Sequence, residues 1–464
     1  MFNIHSSTIS ILLFAAFSLL IGTGCTSTSS TQVDSEQKVN EVEGNLNVTF
    51  SDDDQFGRSV SNIGDLESDG VTDLAVGMPL DDDGGTDRGA IWVLFMDDDG
   101  QVDLEQKISN TEGSFDGTLD NDDQFGTSVA AVGDLNNDGV LDLVVGAPGD
   151  DDGGIDRGAL WVLFLNSNGT VSSEQKIAFE VGGFGGALDD GDRFGSAIAN
   201  IGDLNNDGIT DIVVGVDLDD DNGTNRGAVW ILFMNDDGTV ASEQKISQLE
   251  GSFEGNLADD DMFGSSVTRI ADLDGDGNPE LAVGASGDDN GGPERGAVWI
   301  LFMNNDGTVV FEQKISQTEG LFDGTLADGD EFGNAVTSVG DLDSDGYDDL
   351  IVGARFSDDG GSDRGAIWIL FLDKDGKVFS SSKISDLHGN FKGTLIDDDQ
   401  FGHALTSIGD LNGDGIIDLA VTASGDEGQG FDRGALWVLF LARVESGTEF
   451  DSDVELDQLF SGNR

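Results

Sequence analysis

Short apolar runs alternate with Asp/Asn/Gly clusters along almost the whole chain, and they do so at a fixed period. Phe-Gly pairs begin at Phe56, Phe125, Phe194, Phe263, Phe332 and Phe401, a step of 69 residues. Trp92, Trp161, Trp230, Trp299, Trp368 and Trp437 keep the same step, as do the Arg-Gly-Ala arginines from Arg88 to Arg433. Six copies without an insertion identify a repeat architecture. Within the second unit the pattern predicts four short strands. Phe125 to Val132 is the first, and the continuous apolar run Leu143 to Gly146 is a second, buried on both faces. Ala159 to Leu165 is the third and Val171 to Ile177 the fourth, joined by a tight turn at Asn168-Gly169. Gly and Asp punctuate the chain too often for helices.

Radial repetition of four-stranded sheets is the way a propeller hides its sheet edges. The expected fold is therefore all-β, a six-bladed β-propeller over residues 35–442. A solenoid would want capping repeats at its ends, and the sequence offers none. The fourth-strand phrase Glu-Gln-Lys ends at Lys107, Lys176, Lys245 and Lys314, with Lys383 in the same register after Ser-Ser. It occurs once more as Glu36-Gln37-Lys38, ahead of the first Phe-Gly, and does not follow the sixth third strand, Ala435 to Leu441. The N-terminal segment is thus expected to supply the outer strand of the last blade and to pin the two ends of the chain together.

Charge changes the picture next. The chain of 464 residues carries 92 acidic against 21 basic residues, a net charge of −71. That balance excludes a general nucleic-acid binder, which needs a positive footprint, and adsorption to anionic lipid by charge. With 37% hydrophobic residues in regular runs, the chain folds rather than staying disordered, and its acidity calls for cations.

Between the first two strands every unit carries Asp-x-(Asp/Asn/Glu)-x-Asp-Gly-x-x-(Asp/Glu). Ca²⁺ takes six to eight oxygens, and positions 1, 3 and 5 of a tight loop can all point inward. The glycine at position 6 permits the turn that returns the seventh carbonyl and the ninth carboxylate to the ion. The expected ligands are Asp65, Glu67, Asp69, Val71 and Asp73 in the first loop, and Asp134, Asn136, Asp138, Val140 and Asp142 in the second. The third has Asp203, Asn205, Asp207, Ile209 and Asp211, and the fourth Asp272, Asp274, Asp276, Asn278 and Glu280. The fifth has Asp341, Asp343, Asp345, Tyr347 and Asp349, and the sixth Asp410, Asn412, Asp414, Ile416 and Asp418. Asp, Asn and Gly also make plain turns, but a turn does not need four oxygen-bearing side chains at fixed spacing. Such loops repel themselves when empty, and a divalent ion removes that cost. About six Ca²⁺ ions are expected, one per repeat.

Phe125-Gly126, the loop from Asp134 and Gly146-Ala147-Pro148 together resemble the FG-GAP repeat of the integrin α-subunit propeller, over nearly all of residues 35–442. The Gly-Ala-Pro part changes along the chain and ends as Thr422-Ala423-Ser424. Integrin propellers have seven blades, whereas this chain has six units. The resemblance implies structural calcium ions and a ligand-binding face opposite them, hence a recognition or adhesion module for a protein or carbohydrate.

The ends suggest export. Ile9 to Ile21 is an apolar run suited to a signal peptide and too short to span a bilayer comfortably. Gly22-Thr23-Gly24-Cys25 resembles the bacterial lipobox, which implies a signal peptide over 1–24, lipidation of Cys25 and a polar flexible linker over 25–34. A lone cysteine excludes an intramolecular disulfide. The expected location is an exported outer-membrane or cell-surface lipoprotein, with secretion as the alternative, and any membrane contact runs through the lipid. The acidic tail over 443–464 is expected to be disordered.

Two further acidic segments per unit fall at the end of the ring away from the metal loops. One is typified by Asp150-Asp151-Asp152-Gly153-Gly154, with a local ion pair expected between Asp156 and Arg157. The other is the segment before each Phe-Gly, where Asp54, Asp123, Asp192, Asp261, Asp330 and Asp399 recur. They read as a solvated rim, or as a surface for more cations or for a cationic or sugar ligand. No Gly-x-Ser-x-Gly elbow, paired-histidine motif or phosphate loop occurs, and His403 reads as structural. The chain is expected not to be an enzyme. The alternatives are a calcium-dependent propeller hydrolase or lyase and a structural surface coat.

Overall fold

A computed structural model of the chain describes residues 30–444. All 24 of its strands fall into six four-stranded antiparallel sheets, as the repeat predicts. After β1 (Ser30–Val39), the first blade is β2 (Ser59–Gly64), β3 (Asp73–Met78), β4 (Ala90–Met96) and β5 (Val102–Ser109). The second is β6 (Ser128–Gly133), β7 (Asp142–Ala147), β8 (Ala159–Leu165) and β9 (Val171–Ile177). The next three are β10–β13 (197–246), β14–β17 (263–316) and β18–β21 (336–385), and the last holds β22 (Phe401–Gly409), β23 (Asp418–Ala423) and β24 (Ala435–Val444). Among the described residues no helix is long and apolar enough to cross a membrane.

The first strands line the axis. Those of neighbouring blades touch all the way round, from β2 with β6 to β22 with β2, so the ring closes at six. The second and third strands of the second blade are buried on both faces, whereas β9 is buried only at its two ends, Val171 and Ile177, and exposed to half-buried between them, the mark of an outer strand. The core lies between blades. Ile91, Val93 and Phe95 of β4 pack in one cluster with Leu143 and Val145 of β7 and Trp161 of β8.

Each blade boundary is stapled by three rings. Phe115 stacks on Phe125 with centroids 5.4 Å apart and meets Trp161 edge-on at 5.0 Å. The trio recurs at the other five boundaries, which explains why Phe-Gly and Trp hold their period. The glycine after the phenylalanine sits at φ +99° in Gly126, and its N–H donates to the Gly146 carbonyl at 3.0 Å. Gly146 in turn lies so close to the next blade that a Cβ there would stand 2.1 Å from the Gly195 carbonyl oxygen. Backbone contact across the blade interface therefore leaves no room for a side chain.

β1 pairs with β24 in the last sheet, as the Glu36-Gln37-Lys38 phrase predicts. The strand begins at Ser30, so residues 30–34, read from their polar composition as linker, belong to the closing sheet. Thr31 and Val33 are buried and the neighbouring Asp34 is exposed, and this alternation outweighs composition. At the other end β24 runs to Val444, so Arg443 is strand rather than tail. The signal segment, Cys25 and residues 445–464 lie outside the described residues.

Candidate metal-binding loops

All six Asp-rich loops join a first strand to a second, so they share one end of the ring with the hairpin turns between third and fourth strands. Each is tied by the same bonds. In the second loop the Asp134 carboxylate accepts the N–H groups of Asp138 at 2.8 Å and Gly139 at 2.9 Å, and Asp138 accepts that of Val140 at 2.9 Å. Asn137 and Gly139 take left-handed backbone at φ +59° and +94°, which curls the loop around its first side chain. The first Asp of the other five loops, Asp65, Asp203, Asp272, Asp341 and Asp410, accepts the equivalent pair of N–H groups.

The second residue is a leucine that anchors the loop, and the ninth carboxylate clips it shut. Leu135 is buried, and its N–H donates to Asp142 at 3.0 Å. The other Asp142 oxygen accepts from Leu165 of β8 at 3.2 Å. The equivalents Asp73, Asp211, Asp349 and Asp418 repeat both bonds, while the longer Glu280 makes the first, to Leu273 at 2.7 Å. A carboxylate oxygen has two lone pairs, so these bonds leave acceptor capacity for a cation.

The loops bring ionisable ligands together to differing degrees. Oxygens of Asp272, Asp274, Asp276 and Glu280 lie within 4.8 Å of one another, as do those of Asp65, Glu67 and Asp73, and of Asp341, Asp343 and Asp345. The remaining loops carry Asn136, Asn205 and Asn412 at the third position, a neutral oxygen donor in place of a charge. Burial raises the ninth carboxyl everywhere, and nearby loop carboxylates add to it. Asp142, Asp211 and Asp418 are pushed up to about 6, Asp349 to about 7, and Asp73 and Glu280 to about 8. Such a site holds excess negative potential that a proton or a metal ion relieves.

The opposite end differs from the rim read in the sequence. Asp123 and its five equivalents are buried, and each accepts a backbone N–H three residues earlier, such as that of Asp120 at 2.8 Å. They are structural clips, not surface charge. Asp150 and Asp152 hold the ammonium of Lys176 at 2.5 and 2.7 Å, 5.4 Å from the centre of the Trp161 ring. Arg157 pairs with Asp190, 33 residues on, at 2.9 Å, and not with its neighbour Asp156, whose φ of +47° belongs to the turn. In the last blade Lys38 of β1 takes the lysine's place, pairing with Asp426 and lying 5.2 Å from the centre of the Trp437 ring.

Fold and loops together define a closed propeller of repeats, each with an acidic cation-type loop facing one way. Five of the units are FG-GAP repeats: the family model described as FG-GAP repeat matches residues 56–94, 125–163, 194–232, 263–301 and 332–370. The sixth unit, with Thr422 where the others have glycine, lies outside the match. The chain is 35% identical to integrin alpha-5 of Xenopus laevis over 243 residues, 51% of this chain and 20% of that protein. It is 30% identical to integrin alpha pat-2 of Caenorhabditis elegans over 250 residues, 50% of this chain and 18% of that protein. To integrin alpha-PS5 of Drosophila melanogaster it is 37% identical over 168 residues, 35% of this chain and 15% of that protein. The chain thus spans about a fifth or less of the length of these relatives.

Proposed function

We propose that this chain is a calcium-binding recognition or adhesion module of the cell surface, without enzymatic activity. Its ligand would be a protein or carbohydrate, bound on the face opposite the metal loops. The observation that carries the reading is one loop geometry repeated six times, with three or four carboxylates in each of three loops offering oxygens within 4.8 Å of one another. Ca²⁺ suits it better than Mg²⁺, because each loop offers more oxygens than Mg²⁺ usually takes from protein. About six ions, one per repeat, would be structural, and the integrin likeness supports the choice of face. The reading includes export and lipidation at Cys25, with any membrane contact confined to that anchor.

The test is thermal unfolding of the mature chain in EDTA and in millimolar calcium, with bound metal counted by native mass spectrometry. About six ions and a large upward shift in Tm are expected, since a ligand held only by the folded state stabilises it. No bound metal and an unchanged Tm would overturn the reading.

A further inference from the structure

Three arginines converge on the axis at the face opposite the metal loops, in a chain of net charge −71. Six of the twelve arginines belong to the Arg-Gly-Ala period; Arg58, Arg193 and Arg355 are three of the remaining six. They come from alternate blades, the first, third and fifth. They occupy the positions at which the otherwise near-identical units disagree. The residue after Phe-Gly is Arg58, Thr127, Ser196, Ser265, Asn334 or His403, and the residue before it varies from Gln55 to Arg193 and Glu331. Arg193, Arg355 and the six residues that follow Phe-Gly line a cavity of about 250 Å³. It continues into a narrower stretch of about 110 Å³ whose walls include Val60, Val129, Ile198, Val267, Val336 and Leu405, the inward residues of the first strands.

The charges here do not balance. Arg355 holds Glu331 at 2.6 Å, and Arg58 and Arg355 both point at His403 Nε2, the latter at 3.3 Å. A nitrogen facing two guanidinium donors must accept, so the imidazole is neutral, with its proton on Nδ1 beside the Ser424 hydroxyl at 2.5 Å. The Arg193 guanidinium makes no ion pair or hydrogen bond among the described residues. Asp217 lies in the field of Arg193 and Arg58, yet its Oδ1 is buried without a partner. Three cations thus meet two carboxylates in a wall that is apolar below. Arg58 itself is destabilised by burial and by its two arginine neighbours. One added anion would complete the set, and the hydroxyls of Ser265 and Ser286 stand in the wall to meet it.

We propose that this axial cavity is an oxyanion site, in which Arg58, Arg193 and Arg355 receive the carboxylate, sulfate or phosphate group of a small ligand. The site needs neither bound calcium nor the adhesive reading. Planar guanidiniums match two oxygens of such a group at once, and the surrounding acidity keeps diffuse anion binding low.

The test titrates galacturonate, sulfate and methyl phosphate separately into the full chain by calorimetry, at ionic strength matched with sodium chloride. Saturable binding of at least one, near one per chain, is expected, and the anion that binds best identifies the source. Arg193→Gln should weaken it about tenfold or more. Arg269→Gln, which lies toward the loop end of the channel, should leave it unchanged. Asp217→Asn removes a competing negative charge and should tighten binding, an effect that damage to the fold would not produce. Failure of all three anions to bind, or equal binding by Arg193→Gln and the parent, would overturn the proposal.

Discussion

Calcium should displace protons from the loops, and the number displaced follows from the structure. The ninth carboxyls of the loops stand at about 6 in Asp142, Asp211 and Asp418, about 7 in Asp349, and about 8 in Asp73 and Glu280. At pH 6.5 these six groups hold roughly three protons between them, and at pH 8.5 fewer than about one. A bound Ca²⁺ needs the carboxylate, so saturation should release about three protons per chain at pH 6.5 and about half a proton at pH 8.5. The sign for stability follows. Without metal these groups bind protons more tightly folded than unfolded, so their contribution is full below about pH 4 and is lost as pH rises through about 6 to 8. Calcium should reverse that trend by replacing the proton. Calorimetric titration of calcium at each pH, in two buffers of different ionisation enthalpy, counts the protons. Equal release at both pH values would refute the reasoning, because the ninth carboxyls would then not be ligands or not be raised.

Four substitutions, each measured by chemical denaturation in calcium, and one deletion test the frame. Lys38→Met leaves Asp426, whose side chain is only 5% exposed, without its partner, and should cost about 3–5 kcal/mol. Lys374→Met at an exposed, solvent-screened pair should leave stability essentially unchanged, and removal of residues 35–41 should lower Tm sharply because it unpairs the closing strand. Gly146→Ala places a methyl 2.1 Å from the Gly195 carbonyl, so a loss of about 1–3 kcal/mol or more is expected. Phe184→Ala empties the ring staple between the second and third blades and should cost about 3–5 kcal/mol. A loss under about 1 kcal/mol at Lys38, Gly146 or Phe184 would contradict the packing described for that residue.

Period and alternation made the frame legible before any coordinates. The strands of the second unit fall within three residues of their predicted bounds. The displaced Glu36-Gln37-Lys38 phrase disclosed the closing strand because the same phrase forms the outer strand of four other blades, where its lysine pairs with an aspartate of the loop between the second and third strands. Pairing across space was less legible. Arg157 has acidic neighbours in sequence, and only the fold brings Asp190, 33 residues away, to its guanidinium. Asp123 looks like one more surface charge in an acidic stretch, and its burial follows from the backbone N–H that it caps.

The axial cavity was hidden for a deeper reason: no unit contains it. Its walls take between one and four residues from each of the six blades, so no single repeat read alone shows it. Its signal lies in the comparison of repeats with one another. Where the six copies agree, as at the Phe-Phe-Trp trios and the loop carboxylates, the residue serves a contact made six times over. Six equal blades would offer an asymmetric ligand on the axis six equivalent orientations and favour none of them. A specific axial site requires the symmetry to break, and it breaks at Arg58, Arg193, Asp217, Arg355 and His403. Divergence among near-identical blades therefore marks the surface that carries specificity, while the acidic loops, repeated in every blade, belong to the frame that holds it in place.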